Sequence, residues 1–255
     1  GRERAAAAAH EQHHREHPQD HPELRQSMPE AQPQPARRTQ AERSDAMRKR
    51  LMQATLECLA EHGYANTSLS MIVRHAGVSR GAQVHHYPNK QVLMCDAAEY
   101  LLRKTYRELG EVMLSIANED DRLQALIDAV WQRLFDTALF RAYCVLLLAS
   151  QNDPELAQSL RGLLGRILEI FTPATTHYFE SLPGSDVTPG ELFNQLGSLC
   201  VSLAAHGHLL PGNKFVPHQL QLWIKQAELL MRPRVGVNSP PPKPGRWLNP
   251  VSEKH

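Results

Sequence analysis

Residues 76–90 of this chain read AGVSRGAQVHHYPNK. Gly77 can supply the positive φ of a tight turn, and Val78 can fill the angle between the two helices that the turn joins. Ser79 provides a side-chain oxygen to cap the helix that follows, and Pro88 ends that helix. Two short helices joined by such a turn form a helix-turn-helix, and the stretch predicts that motif here.

Two helices are predicted before this turn. The first, over about 44–62, carries apolar residues at three- and four-residue spacing, and Ser44 or Asp45 can cap its start. Gly63 lies where a left-handed C-terminal cap is expected. The second covers 68–76, and either Thr67 or Ser68 can cap its start.

The helix after the turn has the side chains of a nucleic-acid reader. Arg80 can grip guanine with two hydrogen bonds, and Gln83 can do the same for adenine. Asn89 can cap the next helix and leave Lys90 and free backbone N–H groups for a phosphate. Taken singly, Arg80 is also compatible with a solvated surface charge, and the two histidines of this helix with packed rings. Their combination favours a DNA-binding helix.

The same residues resemble the N-terminal domain of TetR/AcrR-type transcriptional regulators. The family pattern runs from a Gly–aromatic helix end through Thr-Ser to Ala-Gly-Val-Ser, and closes on aromatic–Pro–x–Lys. This chain matches these elements in order at 62–64, 67–68, 76–79 and 87–90. The resemblance covers residues 44–90 directly. It implies a helix-turn-helix domain followed by a larger helical domain that binds a small-molecule effector and forms a homodimer.

The resemblance also implies which residues contact DNA. Hydroxyls at the start of the second helix and the basic groups after the third would reach phosphates, and the start of the third helix would enter the major groove. The DNA-binding residues implied are Thr67, Ser68, Ser79, Arg80, Gly81, Gln83, His85, His86, Tyr87 and Lys90. Many members carry Leu-Tyr where this chain has Gln83-Val84, and that tyrosine contacts a phosphate. Val84 has no hydroxyl for that contact, so Gln83 is expected to take a larger share.

Composition divides the chain into four parts. Residues 1–42 are poor in bulky apolar side chains and are predicted to be a disordered leader, whose histidines are read as solvated. Residues 43–90 form the predicted DNA-binding domain, and 91–231 the predicted effector-binding and dimerisation domain. Residues 232–255 are a proline-rich tail that cannot continue a helix.

Charge separates the two predicted domains, although the 255 residues together carry only +1. Residues 37–90 hold nine Lys/Arg against four Asp/Glu, whereas residues 91–210 hold eight against fifteen. A basic lobe joined to an acidic one is typical of a DNA-binding head on a body that does not bind DNA. No apolar run is long enough to span a membrane, and four dispersed cysteines read as free thiols in a reducing cytoplasm.

The remainder is predicted to be helical, with no alternating run that reads as a strand, so the expected fold class is all-α. The predicted helices cover 90–116, 120–136, 138–151, 154–181, 188–209 and 215–231. The segment 138–150 is apolar nearly all round and is predicted to be the central buried helix. Two helices rich in leucine are predicted to pair with their copies in a four-helix dimer interface. The residues that carry this prediction are Leu156, Leu160, Leu163, Leu164, Ile167 and Leu168 on the first helix and Leu192, Leu196, Leu199 and Leu203 on the second.

Aromatic side chains of the body are the candidates for an effector pocket. They are Trp131, Phe135, Phe140, Tyr143 and Phe171, and the alternative for each is plain core. Cys200, His206 and His208 have a spacing compatible with metal binding, but histidines packed between helices are the favoured interpretation because a fourth ligand is missing. No metal or other cofactor is expected.

These observations predict a ligand-responsive transcriptional regulator, most commonly a repressor, that binds a palindromic DNA operator as a homodimer. The main alternative is a helical adaptor whose helix-turn-helix has lost its DNA role, supported by the valine at position 84. An enzyme is not expected, since the chain offers no nucleophile–base pair, metal-spaced cluster or phosphate loop. The sequence leaves the effector and the operator open.

Overall fold

The computed structural model describes residues 39–210 and 212–242, and their fold is helical as predicted. Nine α-helices follow one another in these ranges. They are α1 (Gln40–Asn66), α2 (Leu69–Ala76), α3 (Arg80–His86), α4 (Lys90–Ser115), α5 (Arg122–Val130), α6 (Ala138–Ala149), α7 (Pro154–Tyr178), α8 (Pro189–His206) and α9 (Phe215–Ala227). Among them no single helix is long and apolar enough to cross a membrane, and only one bent pair of helices meets that test together.

Helix α1 begins earlier than the sequence predicts. The Oγ of Thr39 accepts from the N–H of Glu42 at 3.2 Å, and the Glu42 carboxylate accepts from the N–H of Thr39 at 2.7 Å. This reciprocal capping box starts the helix at Gln40, so the predicted caps Ser44 and Asp45 are wrong. The end of the predicted leader therefore belongs to α1, and residues 1–38 lie outside the described residues.

Two short strands replace helix where the sequence predicts α7 and α9 to continue. Strand β1 (Phe179–Ser181) pairs antiparallel with β2 (Met231–Pro233). Strands of three residues are too short to show alternation, and their pairing depends on contacts distant in sequence. A π-helical turn at Trp131–Phe135 likewise interrupts the helix predicted over 120–136.

The boundary predicted between the body and the C-terminal tail, at residue 232, lies too early in the sequence. The N–H of Arg234 donates to the carbonyl of Tyr178 at 2.8 Å. The buried guanidinium of Arg122 donates to the carbonyl of Val237 at 2.6 Å and to that of Ala117 at 2.9 Å. The chain therefore packs against the body beyond residue 232.

The buried apolar side chains form two clusters. One joins α1 and α2 to the first half of α4, to α6 and to the start of α7, with Leu51, Leu59 and Ile72 fully buried. The other fills the space between the end of α4 and helices α5, α7, α8 and α9, around Phe193 and Trp223. Helix α4 contributes to both clusters and therefore links the N-terminal helices to the body.

Helix α6 is less buried than predicted. Its side chains Ala142 and Leu146 are fully buried, whereas Leu148 is 64% exposed. The buried pair lies in the cluster that contains α1, and another side of the helix, with Phe140 and Tyr143, faces a cavity that is partly open to solvent. Its apolar character on several sides reflects these two separate neighbours.

The leucines predicted to form a dimer interface lie mostly inside the monomer. Leu156 and Leu160 belong to the first cluster. Leu192, Leu196 and Leu203 of α8 belong to the second, with Leu199 partly buried against it. Of the α7 leucines, Leu164 and Leu168 are exposed. Five of these leucines are therefore covered within one subunit, whereas the exposed pair on α7 stays uncovered.

Candidate nucleic-acid interface and internal cavity

The turn between α2 and α3 has the geometry that the sequence predicts. Gly77 adopts the left-handed conformation, with φ 60° and ψ 40°, and its N–H donates to the carbonyl of Arg74 at 3.1 Å. The Oγ of Ser79 then accepts from the N–H of Ala82 at 3.2 Å and caps α3. The two helices are thus held in the helix-turn-helix arrangement.

Arg50 of α1 braces this turn, which the sequence analysis missed. One of its terminal nitrogens donates to the carbonyls of Ala76 and Gly77, at 2.7 and 3.1 Å. A cation at the C-terminal end of α2 also interacts favourably with the helix dipole. The basic triplet at residues 48–50 is its only signal in the sequence, and nothing local points to the end of α2.

Helix α3 presents one side to solvent. Its exposed residues are Arg80, Gly81, Val84 and His85, and Ser79 before it is also exposed. A Cβ added at Gly81 would meet nothing within 4 Å, so this side of the helix is open. The opposite side carries Gln83 and packs inward. The open side can approach another surface closely at its backbone.

The predicted role of Gln83 as a base reader is not compatible with its position. The side chain is only 2% exposed, and its amide nitrogen donates to the carbonyl of Tyr87 one turn later. A seven-residue helix packed on α1 and α2 needs an inward side, and residue 83 occupies it together with residue 87. Polarity alone suggested exposure, but the hydrogen bond to Tyr87 compensates the buried amide.

Replacing Gln83 should therefore affect stability rather than base preference. Gln83→Ala removes a buried hydrogen bond and leaves a small cavity, which should lower the free energy of unfolding by about 1–2 kcal/mol. Gln83→Leu refills the volume and should cost less. Denaturant titrations of both variants measure this. A shifted preference at one base pair with unchanged stability would restore Gln83 as a reader.

Two further predicted DNA contacts are internal. Tyr87 is 1% exposed, its hydroxyl donates to Asp96 Oδ2 at 3.0 Å, and burial raises its pKa to about 12. Thr67 is also 1% exposed, and its hydroxyl lies 2.7 Å from the carbonyl of Gly63. Matching positions of a motif does not determine which way a side chain points, and these two stabilise the N-terminal helices instead.

The remaining predicted phosphate contacts lie at or near the surface. Ser68 is exposed and caps α2, its Oγ accepting from the N–H of Met71 at 3.2 Å. His86 is partly exposed, and burial is the main cause that lowers its pKa. Lys90 Nζ donates to the carbonyl of Tyr64 at 2.7 Å and lies 4.5 Å above that ring, and burial lowers its pKa. An ammonium has three donors, so Lys90 can still donate elsewhere.

An exposed basic residue of α1 extends this surface. Arg48 and Lys49 are both exposed, and Arg48 lies close enough to Tyr87 and His86 to influence their pKa values. Arg48 and Arg80 together give the side that carries α3 a positive charge, which suits phosphates. The sequence shows the excess of positive charge in this part of the chain but not the surface on which it lies.

A cavity of about 590 Å³ lies in the body between α4, α6, α7 and α8. Four of the five predicted aromatic residues are on its wall, namely Phe135, Phe140, Tyr143 and Phe171. Trp131 is not a lining residue and stacks behind Phe135, with ring centroids 6.3 Å apart. Most of the wall is apolar, and its charged members include Lys104, Arg107, Arg133 and Glu108. Arg133 and Glu108 are paired at 2.5 Å.

The cysteine and histidines considered for a metal do not converge. Cys200 is buried, and burial raises its pKa to about 12. His206 stays against its own helix, with Nδ1 2.8 Å from the carbonyl of Ser202. Among the described residues, no three His, Cys, Asp or Glu side chains form a group that could hold a metal ion. The histidines of the leader lie outside those residues.

The structure has a capped three-helix head with an open, positively charged side, and α4 joins this head to a helical body with a cavity. This arrangement is that of helix-turn-helix regulators. Residues 51–95 match the family model described as bacterial regulatory proteins, tetR family. The N-terminal head of the chain is therefore of the TetR type.

Comparisons with individual proteins agree with this placement. The chain is 33% identical over 132 residues to the HTH-type transcriptional regulator CymR of Pseudomonas putida, covering 52% of this chain and 64% of CymR. It therefore aligns with less than two thirds of that relative. A TetR transcription regulator from Haloarcula marismortui has a similar fold, with a TM-score of 0.60 and 17% identity over 74% of this chain and all of that one. A transcriptional regulator from Saccharomonospora viridis, solved with choline, has a TM-score of 0.56 and 16% identity over 74% of this chain and 99% of that one.

Proposed function

We propose that this protein is a DNA-binding transcriptional regulator that acts as a repressor in the cytoplasm. Residues 43–90 bind the operator, and 91–231 bind an effector and dimerise. The observation that carries the proposal is the open side of α3, where Arg80 and His85 are exposed beside Gly81. In a helix-turn-helix the start of the second helix contacts base edges, and Arg80 begins α3.

Binding to duplex DNA at several salt concentrations tests this proposal against the adaptor alternative. If the basic residues beside α3 neutralise phosphates, the logarithm of the binding constant should fall linearly with the logarithm of the salt concentration. Its slope should be about −0.9 for each phosphate contacted. A helical adaptor with a non-DNA-binding helix-turn-helix should bind no duplex at low salt, and that result would contradict the proposal.

A second copy of the chain is proposed to pack on the outer side of α8 and α9. A groove between these helices is lined by uncharged residues only, with Leu222 43% exposed and Trp223 beneath it. Its residues are Gln195, Ser198, Leu199, Gln219, Leu222, Trp223 and Gln226. The centres of protein interfaces are depleted of charge and enriched in aromatic residues. Two such helix pairs would form a four-helix interface, and we propose α8 and α9 for it instead of the α7 and α8 pair expected from the sequence.

Introducing a charge into this groove should separate the subunits. Leu222→Arg places an unpaired guanidinium at the centre of the proposed interface, where desolvation is costly. Sedimentation equilibrium should give a dimer for the unaltered chain and a dissociation constant raised at least about tenfold for the variant. Leu148→Arg, at an exposed position of α6, is the matched control and should remain dimeric. Equal dimerisation of all three proteins would place the interface elsewhere.

The effector is proposed to occupy the internal cavity. Its largely apolar and aromatic wall suits a small, mainly apolar molecule. The choline complex of the S. viridis regulator supports a small-molecule role for this type of body. Helix α6 offers a route to the head, since Phe140 and Tyr143 face the cavity while Leu146 is buried in the cluster that contains α1. An effector that favours one position of α6 would shift the spacing of the two copies of α3.

Polar contacts join the head to the start of α7 as well. The carboxylate of Asp153 caps α7 and accepts from Gln91 Nε2 at 2.6 Å and from the hydroxyl of Tyr64 at 3.5 Å. Gln91 lies near the start of α4, and Tyr64 lies near the end of α1. A movement of α7 at the cavity would therefore be transmitted to α1 in the head and to α4, which joins the head to the body.

A further inference from the structure

Val84 stands out on the open side of α3 because it is apolar and exposed. Its side chain is 53% exposed, although the helix buries the polar Gln83 beside it. Arg80 lies one turn earlier on the same side, and the exposed His85 follows. With no donor or acceptor, the valine side chain cannot read a base by hydrogen bonding.

The major groove offers one kind of apolar group to such a side chain. Thymine carries a 5-methyl group on its major-groove edge, and apolar side chains discriminate thymine by packing against that methyl. Gly81 lies three residues before Val84, so it shares its side of the helix. An added Cβ at Gly81 would meet nothing, and the missing side chain leaves room for a base edge beside Val84.

We propose that Val84 is a specificity-determining residue that packs against the methyl group of one thymine in each half of the operator. The inference rests on the proposed DNA-binding function and deepens it. Arg80 and Val84 are four residues apart, about 6 Å along the helix axis, which corresponds to roughly two base-pair steps. The thymine should therefore lie within about two base pairs of the guanine that Arg80 reads.

Replacing thymine by deoxyuridine tests this because it removes the methyl group and leaves every hydrogen-bonding atom. A duplex selected by the full-length chain from a random pool is synthesised with each thymine replaced in turn, symmetrically in both halves. One symmetric replacement should weaken binding by about tenfold, or roughly three- to fourfold for each methyl group lost from an apolar contact. In Val84→Ala the same replacement should change affinity by less than about twofold, because the packing partner is shortened.

Val235→Ala is the matched control, since it removes the same atoms from a residue that is 96% exposed in the C-terminal segment. It should keep the full sensitivity to deoxyuridine, and thermal melting should show that both variants are folded. Specific binding that is insensitive to every deoxyuridine replacement would overturn the inference and leave the proposed function standing. Sensitivity that persists unchanged in Val84→Ala would also overturn it by assigning the methyl to another residue. Failure to bind any duplex would instead overturn the proposed function, and the inference with it.

Discussion

Arg80→Ala should weaken binding to the operator by about 1–3 kcal/mol for each half-site, which is roughly 5- to 150-fold. The guanidinium begins α3 on its open side and can form two hydrogen bonds with guanine in the major groove. The loss should be concentrated at one symmetric pair of base positions, where the variant no longer prefers guanine. Because the side chain is exposed, the free energy of unfolding should change by no more than about 0.5 kcal/mol.

Titrations against an operator library with every single-base change, at fixed salt, measure both effects. Arg161→Ala is the matched control, since it removes the same exposed charge from α7 in the body. It should leave base preference unaltered. If Arg80→Ala kept the affinity and preference of the unaltered chain, α3 would not be the reading helix.

Tyr87→Ala should be among the most destabilising single changes in the head, lowering the free energy of unfolding by about 3–5 kcal/mol. The ring is 1% exposed within the cluster that joins α1 to α4. Tyr87→Phe retains the ring and removes the hydroxyl that donates to Asp96, which should cost about 1 kcal/mol. Denaturant titrations give both values.

The phenylalanine variant also separates the two roles considered for this residue. If Tyr87 is internal, folded Tyr87→Phe should bind the operator as the unaltered chain does. The DNA contact implied by the family resemblance requires the opposite pattern, in which affinity falls while stability is unchanged. Observing that pattern would show that the hydroxyl turns toward DNA.

The sequence predicted well what depends on neighbouring residues. Ser79 and Asn89 cap the helices that follow them, the latter through Oδ1 and the N–H of Val92 at 3.0 Å. Gly77 takes the positive φ expected of it, and Asp153 caps α7 with Pro154 at its first position. Each of these features is decided within three or four residues of the chain, so one sequence suffices to predict it.

The direction of side chains on a short helix was not predictable in the same way. The chemistry of Gln83 and Tyr87 suits DNA, but α3 must bury one side against α1 and α2, and both residues lie on that side. For Val84 the sequence indicates only a lost phosphate contact, since the exposure of its side chain depends on the same packing. The wall of the cavity was predictable in part. The spacing of aromatic residues identified four of its rings, but it could not show that Trp131 lies outside the wall, stacked behind Phe135.

Selection of bound duplexes from a random pool, followed by sequencing, tests the central proposal most directly. Purified full-length chain should enrich one palindromic motif whose half-sites are centred about 34 Å apart or a multiple of that distance. A guanine read by Arg80 should lie close to a thymine in each half-site. Recovery of a pool no different from its input, at salt concentrations low enough to favour DNA binding, would contradict the account.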